Sequence, residues 1–252
     1  DKIMALQPNS PIYTPFTAFI NGLAMAYTST TSITIAAGNA SDSTVINEII
    51  LAAPAVISTA ANGLNGLDTG TIANNTHYAV YVVADSTEKY PAGAMLSLAS
   101  NAAPYLPFGY DMFRRVGYVL TNGSAEILEF TQRKNGVNRD LWYANAIATN
   151  ITAGASATFA AVTASASVPA GAKEVFIKAV LTADAGATRT AALRAHSSTS
   201  TLGQVFMSSP ASTVTTASLL CPCDASGAID YVVSNAAAAI ALSVSGYVDA
   251  LV

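Results

Sequence analysis

The chain has 252 residues, of which 52% are hydrophobic and only 10% are charged, and its formal net charge is −4. Ordinary soluble domains carry about 25% charged residues, so few charges remain to break up apolar surface, and much of the outer surface is expected to lie against other protein. The eleven Lys and Arg are scattered, which argues against nucleic-acid binding. The longest apolar runs fall short of the roughly 20 residues that a membrane-spanning helix needs, so no membrane segment is predicted.

Residues 1–16 are predicted to form an extended N-terminal arm. Pro8, Pro11 and Pro15 fix φ and remove backbone donors, so this segment has no regular ladder of its own. We expect the arm to lie on a neighbouring molecule. The sequence starts at Asp1 without an initiator Met or a basic, apolar leader, and we expect a trimmed or incomplete N-terminus.

Residues 17–132 are predicted to form the first of two β-sandwich domains. Short apolar runs there are separated by Gly, Asn, Asp and Pro, and several alternate with a period of two, which is typical of half-buried strands. Asn122-Gly123 is the strongest hairpin signal in the chain, whereas Gly63–Gly70 predicts a tight loop. The predicted strands are Thr31–Ile35, Asn47–Leu51, His77–Ala84, Gly117–Thr121 and Glu126–Phe130.

Residues 133–147 concentrate several of the few charges among Asn and Gly, and they predict a linker. Residues 148–252 predict a second domain of the β-sandwich or jelly-roll type, because strand-like runs recur at the spacing of such folds. No long helical period appears, so the predicted fold class is all-β, and Ala236–Ala239 is expected to be a turn or a tightly packed strand. The predicted strands are Ser156–Val162, Glu174–Leu181, Arg189–Ala195, Ala217–Leu220, Ile229–Ser234 and Ile240–Val248.

Several short stretches resemble a module found in structural proteins of tailed phages and prophages. They are Gly66–Gly70, Asn75-Thr76, Tyr78–Ala84, Leu106–Asp111, Arg114–Tyr118 and Asn122–Ser124, and Val244–Val248 looks like the closing strand of small phage fibre domains. The resemblance covers most of residues 20–132 and the second half only weakly. It implies a virion protein of the fibre, decoration or tail-appendage type, and it supplies no catalytic residues.

An aromatic and basic cluster within this region is the candidate surface for a partner chain or a glycan. Arginine stacks on aromatic faces through cation–π contacts, which would suit either ligand. In the structural alternative, the aromatic residues fill one end of the sandwich and the arginines donate hydrogen bonds to loop carbonyls. This alternative is favoured because adjacent residues of a strand point to opposite faces, so the two arginines cannot share one surface. The cluster comprises Tyr105, Phe108, Tyr110, Phe113, Arg114 and Arg115.

No catalytic site, cofactor or metal site is predicted. His77 and His196 are the only histidines, and neither accompanies the G-x-S-x-G motif of many serine hydrolases. Nothing in the sequence places two carboxylates across a groove, as a glycosidase needs. The carboxylates available in the first domain are Asp85, Glu88, Asp111, Glu126 and Glu129.

Three further residues that could bind a metal have simpler explanations. Asp68 stands among glycines as a turn former, since a calcium loop usually has several carboxylates. Cys221 and Cys223 lack the second pair of ligands that zinc requires. Both are expected to be small, buried or half-buried apolar residues.

The sequence therefore predicts a non-enzymatic fibre or decoration protein on the head or tail of a phage particle. Its expected partners are copies of itself, as a homotrimer, and other virion proteins of the capsid or tail. The trimer interface is expected to include some of Tyr105, Phe108 and Phe113. The alternative is a receptor-binding module of a tail fibre, in which loops such as Ala183–Thr190 or Ser197–Thr201 contact bacterial surface glycan. A third, less favoured hypothesis is a polysaccharide-cleaving enzyme.

Overall fold

The structure is a computed structural model that describes residues 18–133, 138–145, 149–164, 166–200 and 203–251, with only the backbone described for residues 149 and 150. Among these residues every strand pairs antiparallel and there is no helix. The prediction of an all-β fold is confirmed. The predicted arm, residues 1–16, lies outside the described residues.

The N-terminal half, from β1 to β9, consists of three small sheets. Their strand orders are β1-β4-β5, β2-β3-β6 and β8-β7-β9. The central strand β7 is Val- and Tyr-rich and is buried on both faces, as expected for a continuous apolar run. The strands are β1 (Ile20–Gly22), β2 (Met25–Ser29), β3 (Ser32–Ile35), β4 (Gly38–Ser41), β5 (Glu48–Leu51), β6 (Ala55–Ser58), β7 (His77–Ala84), β8 (Gly93–Leu98) and β9 (Met112–Leu120).

At the predicted hairpin around Asn122-Gly123 the turn forms, but only the strand before it, β9, has a regular length. The Asn122 side chain accepts hydrogen bonds from the N–H groups of Ser124 and Glu126, so the turn is wider than a two-residue hairpin. Beyond it, the predicted strand Glu126–Phe130 reduces to an isolated bridge between Thr121 and Ile127. Its last residue, Phe130, belongs instead to a different sheet.

The C-terminal half, from β10 to β19, is a sandwich of two facing sheets. One has the order β10-β11-β19-β14-β17, with β12 also pairing β19, and the other has the order β13-β18-β15-β16. The inward side chains of β14 and β15, such as Ile177 and Leu193, form the core between them. The strands are β10 (Phe130–Gln132), β11 (Asn138–Tyr143), β12 (Thr149–Gly154), β13 (Ala160–Val162), β14 (Glu174–Thr182), β15 (Arg189–Ala195), β16 (Val205–Ser209), β17 (Val214–Pro222), β18 (Ile229–Val233) and β19 (Ala239–Ala250).

The structure departs from the predicted linker at residues 133–147. Asn138–Tyr143 form β11, which pairs with β10 on one side and β19 on the other. Two of the charged residues that suggested a solvated linker, Arg139 and Asp140, are buried there, and Arg139 finds backbone acceptors in the N-terminal half, whereas Arg133 is exposed. One continuous apolar cluster contains core residues of both halves, from Ile20 to Leu251.

Candidate binding surfaces

The predicted aromatic and basic cluster is divided by the structure into three parts. The first part, which we call the aromatic tip, is Tyr105 and Phe108 on the loop between β8 and β9. Their exposed fractions are 67% and 94%. The Asp68 carboxylate accepts a hydrogen bond from the Tyr105 N–H at 3.1 Å, so the glycine-rich loop supports the tip. The tip can therefore contact a partner without rearrangement.

The second part, Tyr110 and Phe113, packs within the protein. Tyr110 stacks on Tyr90 at 6.0 Å between ring centroids, and its hydroxyl donates to the Pro91 carbonyl at 2.8 Å. Phe113 meets Tyr81 edge to face at 5.8 Å. Both residues help to cover the second face of β7, so their main contribution is to packing.

The third part, Arg114 and Arg115, joins the two halves of the chain. Arg114 is buried and its Nη2 donates to the Leu251 carbonyl, whereas Arg115 forms an ion pair with Asp249 at 2.5 Å. The Arg115 guanidinium also lies 4.5 Å from the centroid of the Tyr118 ring. With these partners, neither arginine presents a free charge to a ligand.

A groove of about 920 Å³ opens beside this region, and sequence reasoning missed it. One wall is formed by β5, β6 and the corner between them, and the other by the turn from Asp85 to Ala92. Ile50 and Val56 line it with exposed fractions of 60% and 53%. A signal was available, since Ile49 and Ile50 are adjacent apolar residues of a strand whose alternation can bury only one of them.

The groove also contains open sheet edges. Among the described strands β5 pairs with β4 alone and β6 with β3 alone, although the Ser58 N–H of β6 donates to the Asn65 carbonyl of the following loop. Just before β5, the Asp42 N–H donates to the Asn47 carbonyl. Along an antiparallel pair, residues bonded to the partner strand alternate with residues whose N–H and C=O point outward, so those of Glu48 and Ile50 point away from β4. Just after β6, the Thr59 N–H donates to the Thr31 carbonyl, and the same alternation points the N–H and C=O of Val56 away from β3. An extended chain or a glycan could find hydrogen-bond partners there.

Asp85, which lines the groove, and the neighbouring Asp111 are engaged in local structure, whereas Glu48 and Glu88 line the groove with exposed side chains. Asp85 accepts hydrogen bonds from Thr87, Lys89 and Tyr90, and the bonds from Thr87 hold the pKa of this carboxyl below its ordinary value although burial opposes them. Asp111 accepts from both the N–H and the hydroxyl of Ser86. These bonds shape the turn that forms one wall of the groove.

The two histidines occupy different environments. His77 begins β7, and burial lowers its pKa to about 4 although the nearby Ser167 backbone acts in the opposite direction. His196 Nδ1 lies 2.7 Å from the Asp230 carboxylate, which also accepts from Arg194 and the Ser197 N–H. The hydrogen bonds among the described residues include none between a serine hydroxyl and either histidine.

The cysteines conform to the prediction of buried or half-buried apolar residues. Cys221 is fully buried and Cys223 half-buried, both are free thiols, and burial raises their pKa values to about 12 and about 11. Such thiols are poor nucleophiles at neutral pH. The described part of the chain contains no cluster of three or more His, Cys, Asp or Glu that could hold a metal ion. It likewise contains no helix long and apolar enough to cross a membrane.

No model of a known protein family matches the chain, and no curated protein matches it.

Proposed function

We propose that the protein is a non-enzymatic structural component of a tailed-phage particle, acting as an oligomeric fibre or decoration protein on the head or tail. The observation that carries the proposal is the combination of a continuous apolar core with apolar side chains left exposed on both halves. Such residues suit contact with other protein subunits. The exposed large apolar side chains are Ile46, Ile50, Val56, Leu98, Tyr105, Phe108, Phe206, Val214 and Leu220.

The low charge supports the same function. Only 10% of the residues are charged, and several of the charged side chains are buried in joining the two halves, including Arg114, Arg139 and Asp249. Fewer charges therefore remain on the surface to keep copies apart. Rigid β domains with weakly charged surfaces suit a protein that braces or extends a particle. The resemblance of residues 20–132 to phage structural modules points the same way.

Light scattering coupled to size-exclusion chromatography tests self-association of the full chain. We expect an assembly, with a homotrimer of about 77 kDa, three times 25.7 kDa, as the predicted form. A stable species near 26 kDa at micromolar concentration would contradict oligomerisation in solution. Immunogold labelling of particles of the encoding phage, with antibodies against the purified chain, tests the virion location, and unlabelled particles would contradict it.

The aromatic tip and the groove favour one second candidate, a receptor-binding module for bacterial surface glycan. Exposed aromatic rings provide faces for sugars, and the groove provides backbone and carboxylate hydrogen-bond partners. In a glycan-array assay, Phe108→Ala should lower binding about tenfold, while Phe206→Ala, an exposed aromatic on the other half, should leave it unchanged. Absence of binding by the wild-type chain would remove this candidate.

A further inference from the structure

The edge strand β17 differs from ordinary exposed edges. It is nine residues long and contains no charged residue, and among the described residues it pairs with β14 alone. Natural proteins usually protect such an edge with lysines, prolines, bulges or a short length. β17 carries proline only at its last position, Pro222, and its pairing with β14 runs without a register shift. A long, regular and uncharged edge of this kind is a template for another strand.

The direction of the backbone groups of β17 follows from the hydrogen bonds at its two ends. The Ala183 N–H donates to the Thr213 carbonyl before the strand, and the Cys223 N–H donates to the Lys173 carbonyl after it. Because the alternation of an antiparallel ladder runs unbroken between these bonds, every second residue of β17 turns its N–H and C=O away from β14. The residues with outward backbone groups are Val214, Thr216, Ser218 and Leu220.

The side chains of the same four residues are exposed. Val214 is 61% and Leu220 is 40% exposed, and they stand at opposite ends of the set with two hydroxyl residues between them. An antiparallel copy of β17 centred on Ala217 therefore brings Val214 opposite Leu220 and Thr216 opposite Ser218. Apolar residues meet apolar residues and hydroxyls meet hydroxyls, and this register satisfies the outward N–H and C=O groups of these four residues with about eight backbone hydrogen bonds.

We propose that β17 is a self-association strand that pairs antiparallel with β17 of a second copy about a two-fold axis at Ala217. The absence of charge selects this occupant, since a two-fold axis would bring any charge on β17 close to its own copy. Moving the axis to Ser218 sets Thr216 opposite Leu220 and Val214 opposite Pro222, which has no N–H, and moving it to Thr216 sets Val214 opposite Ser218, so both shifts lose the match of apolar with apolar residues. The inference goes beyond the proposed function because it follows from β17 itself, whatever particle the protein belongs to.

A proline at position 216 provides the sharpest test. Its N–H points outward, so Thr216→Pro leaves the bonds between β14 and β17 in place and removes a donor from the new pair. Thr216→Lys places an amino group at the same contact. Thr216→Val, the matched control, keeps the N–H and suits a strand. Light scattering of the full chains up to about 0.1 mM, with circular dichroism to verify folding, should show the wild type and Thr216→Val as dimers, or as hexamers where two of the proposed trimers pair through β17.

The folded Pro and Lys variants should associate about tenfold more weakly than the wild type. If Thr216→Pro does not fold, the comparison of Thr216→Lys with the wild type tests the pairing. Thr190→Lys, which adds the same charge on the facing sheet, is its control and should associate like the wild type. Equal association of wild type and Thr216→Lys would overturn the pairing. A wild type that stays monomeric, or forms a trimer without even-numbered species, would overturn it as well, although a trimer would still support the proposed oligomeric function.

Discussion

Replacing Arg139 by Met removes the donor group that joins the two halves of the chain at their most buried point. Arg139 lies on β11 with 1% of its surface exposed. Its Nη1 donates to the Leu23 carbonyl at 2.7 Å and to the Val116 carbonyl at 2.9 Å, and its Nη2 donates to the Gly22 carbonyl at 3.0 Å. Burial lowers the pKa of Arg139 to about 10, although Asp249 opposes this, so the side chain is still charged at neutral pH.

The expected loss of stability follows from the acceptors left behind. Methionine fills much of the volume and avoids the cost of burying a charge, but it gives the three carbonyls no donor. An unsatisfied buried acceptor costs about 1–3 kcal/mol, so the net loss should be about 3–4 kcal/mol after the relief of desolvation. In a domain of this size each kcal/mol corresponds to about 2–4 °C, which gives a fall in Tm of about 6–16 °C.

Differential scanning calorimetry and urea unfolding measure this change. Arg139→Lys, which keeps the charge but cannot span three acceptors, should lie between the wild type and Arg139→Met. Arg189→Met, in the half-buried surface ion pair with Asp184, should lower Tm less than Arg139→Met because water still reaches both side chains, and it serves as the control. If Arg139→Met unfolds within about 1 kcal/mol of the wild type, the guanidinium does not hold the two halves together.

Two further predictions concern pH and the N-terminal segment. Because the pKa of His77 is about 4 in the folded protein and about 6.5 when unfolded, the unfolded state binds more protons between these values, so stability falls by up to about 3 kcal/mol as pH drops from 6.5 to 4. Urea unfolding of His77→Gln should show a shallower loss over this window, and an unchanged slope would contradict the assignment. Deleting residues 1–16 should leave a folded β protein by circular dichroism that no longer attaches to the particle in a sedimentation assay. If the truncated chain fails to fold, the arm belongs to the core.

Local residue patterns were sufficient to predict the fold class and several strands. The bounds of β7, His77–Ala84, and of β15, Arg189–Ala195, are those predicted from the sequence. Turn residues also marked the Gly63–Gly70 loop. These features depend on neighbours within a few residues, where side-chain alternation and backbone preference act directly.

The tertiary structure decided which elements lie together and which polar groups are buried. Arg139 reads as a solvated charge in a linker, yet it is buried because the carbonyls of Leu23 and Val116, far away in sequence, accept its hydrogen bonds. The strand Ala217–Leu220 is predictable from its pattern, but its place at an open edge is not. A strand lies at the edge or in the centre of a sheet depending on whether one or two other strands pair with it. These pairings join segments far apart in the sequence, and local periodicity carries no information about them.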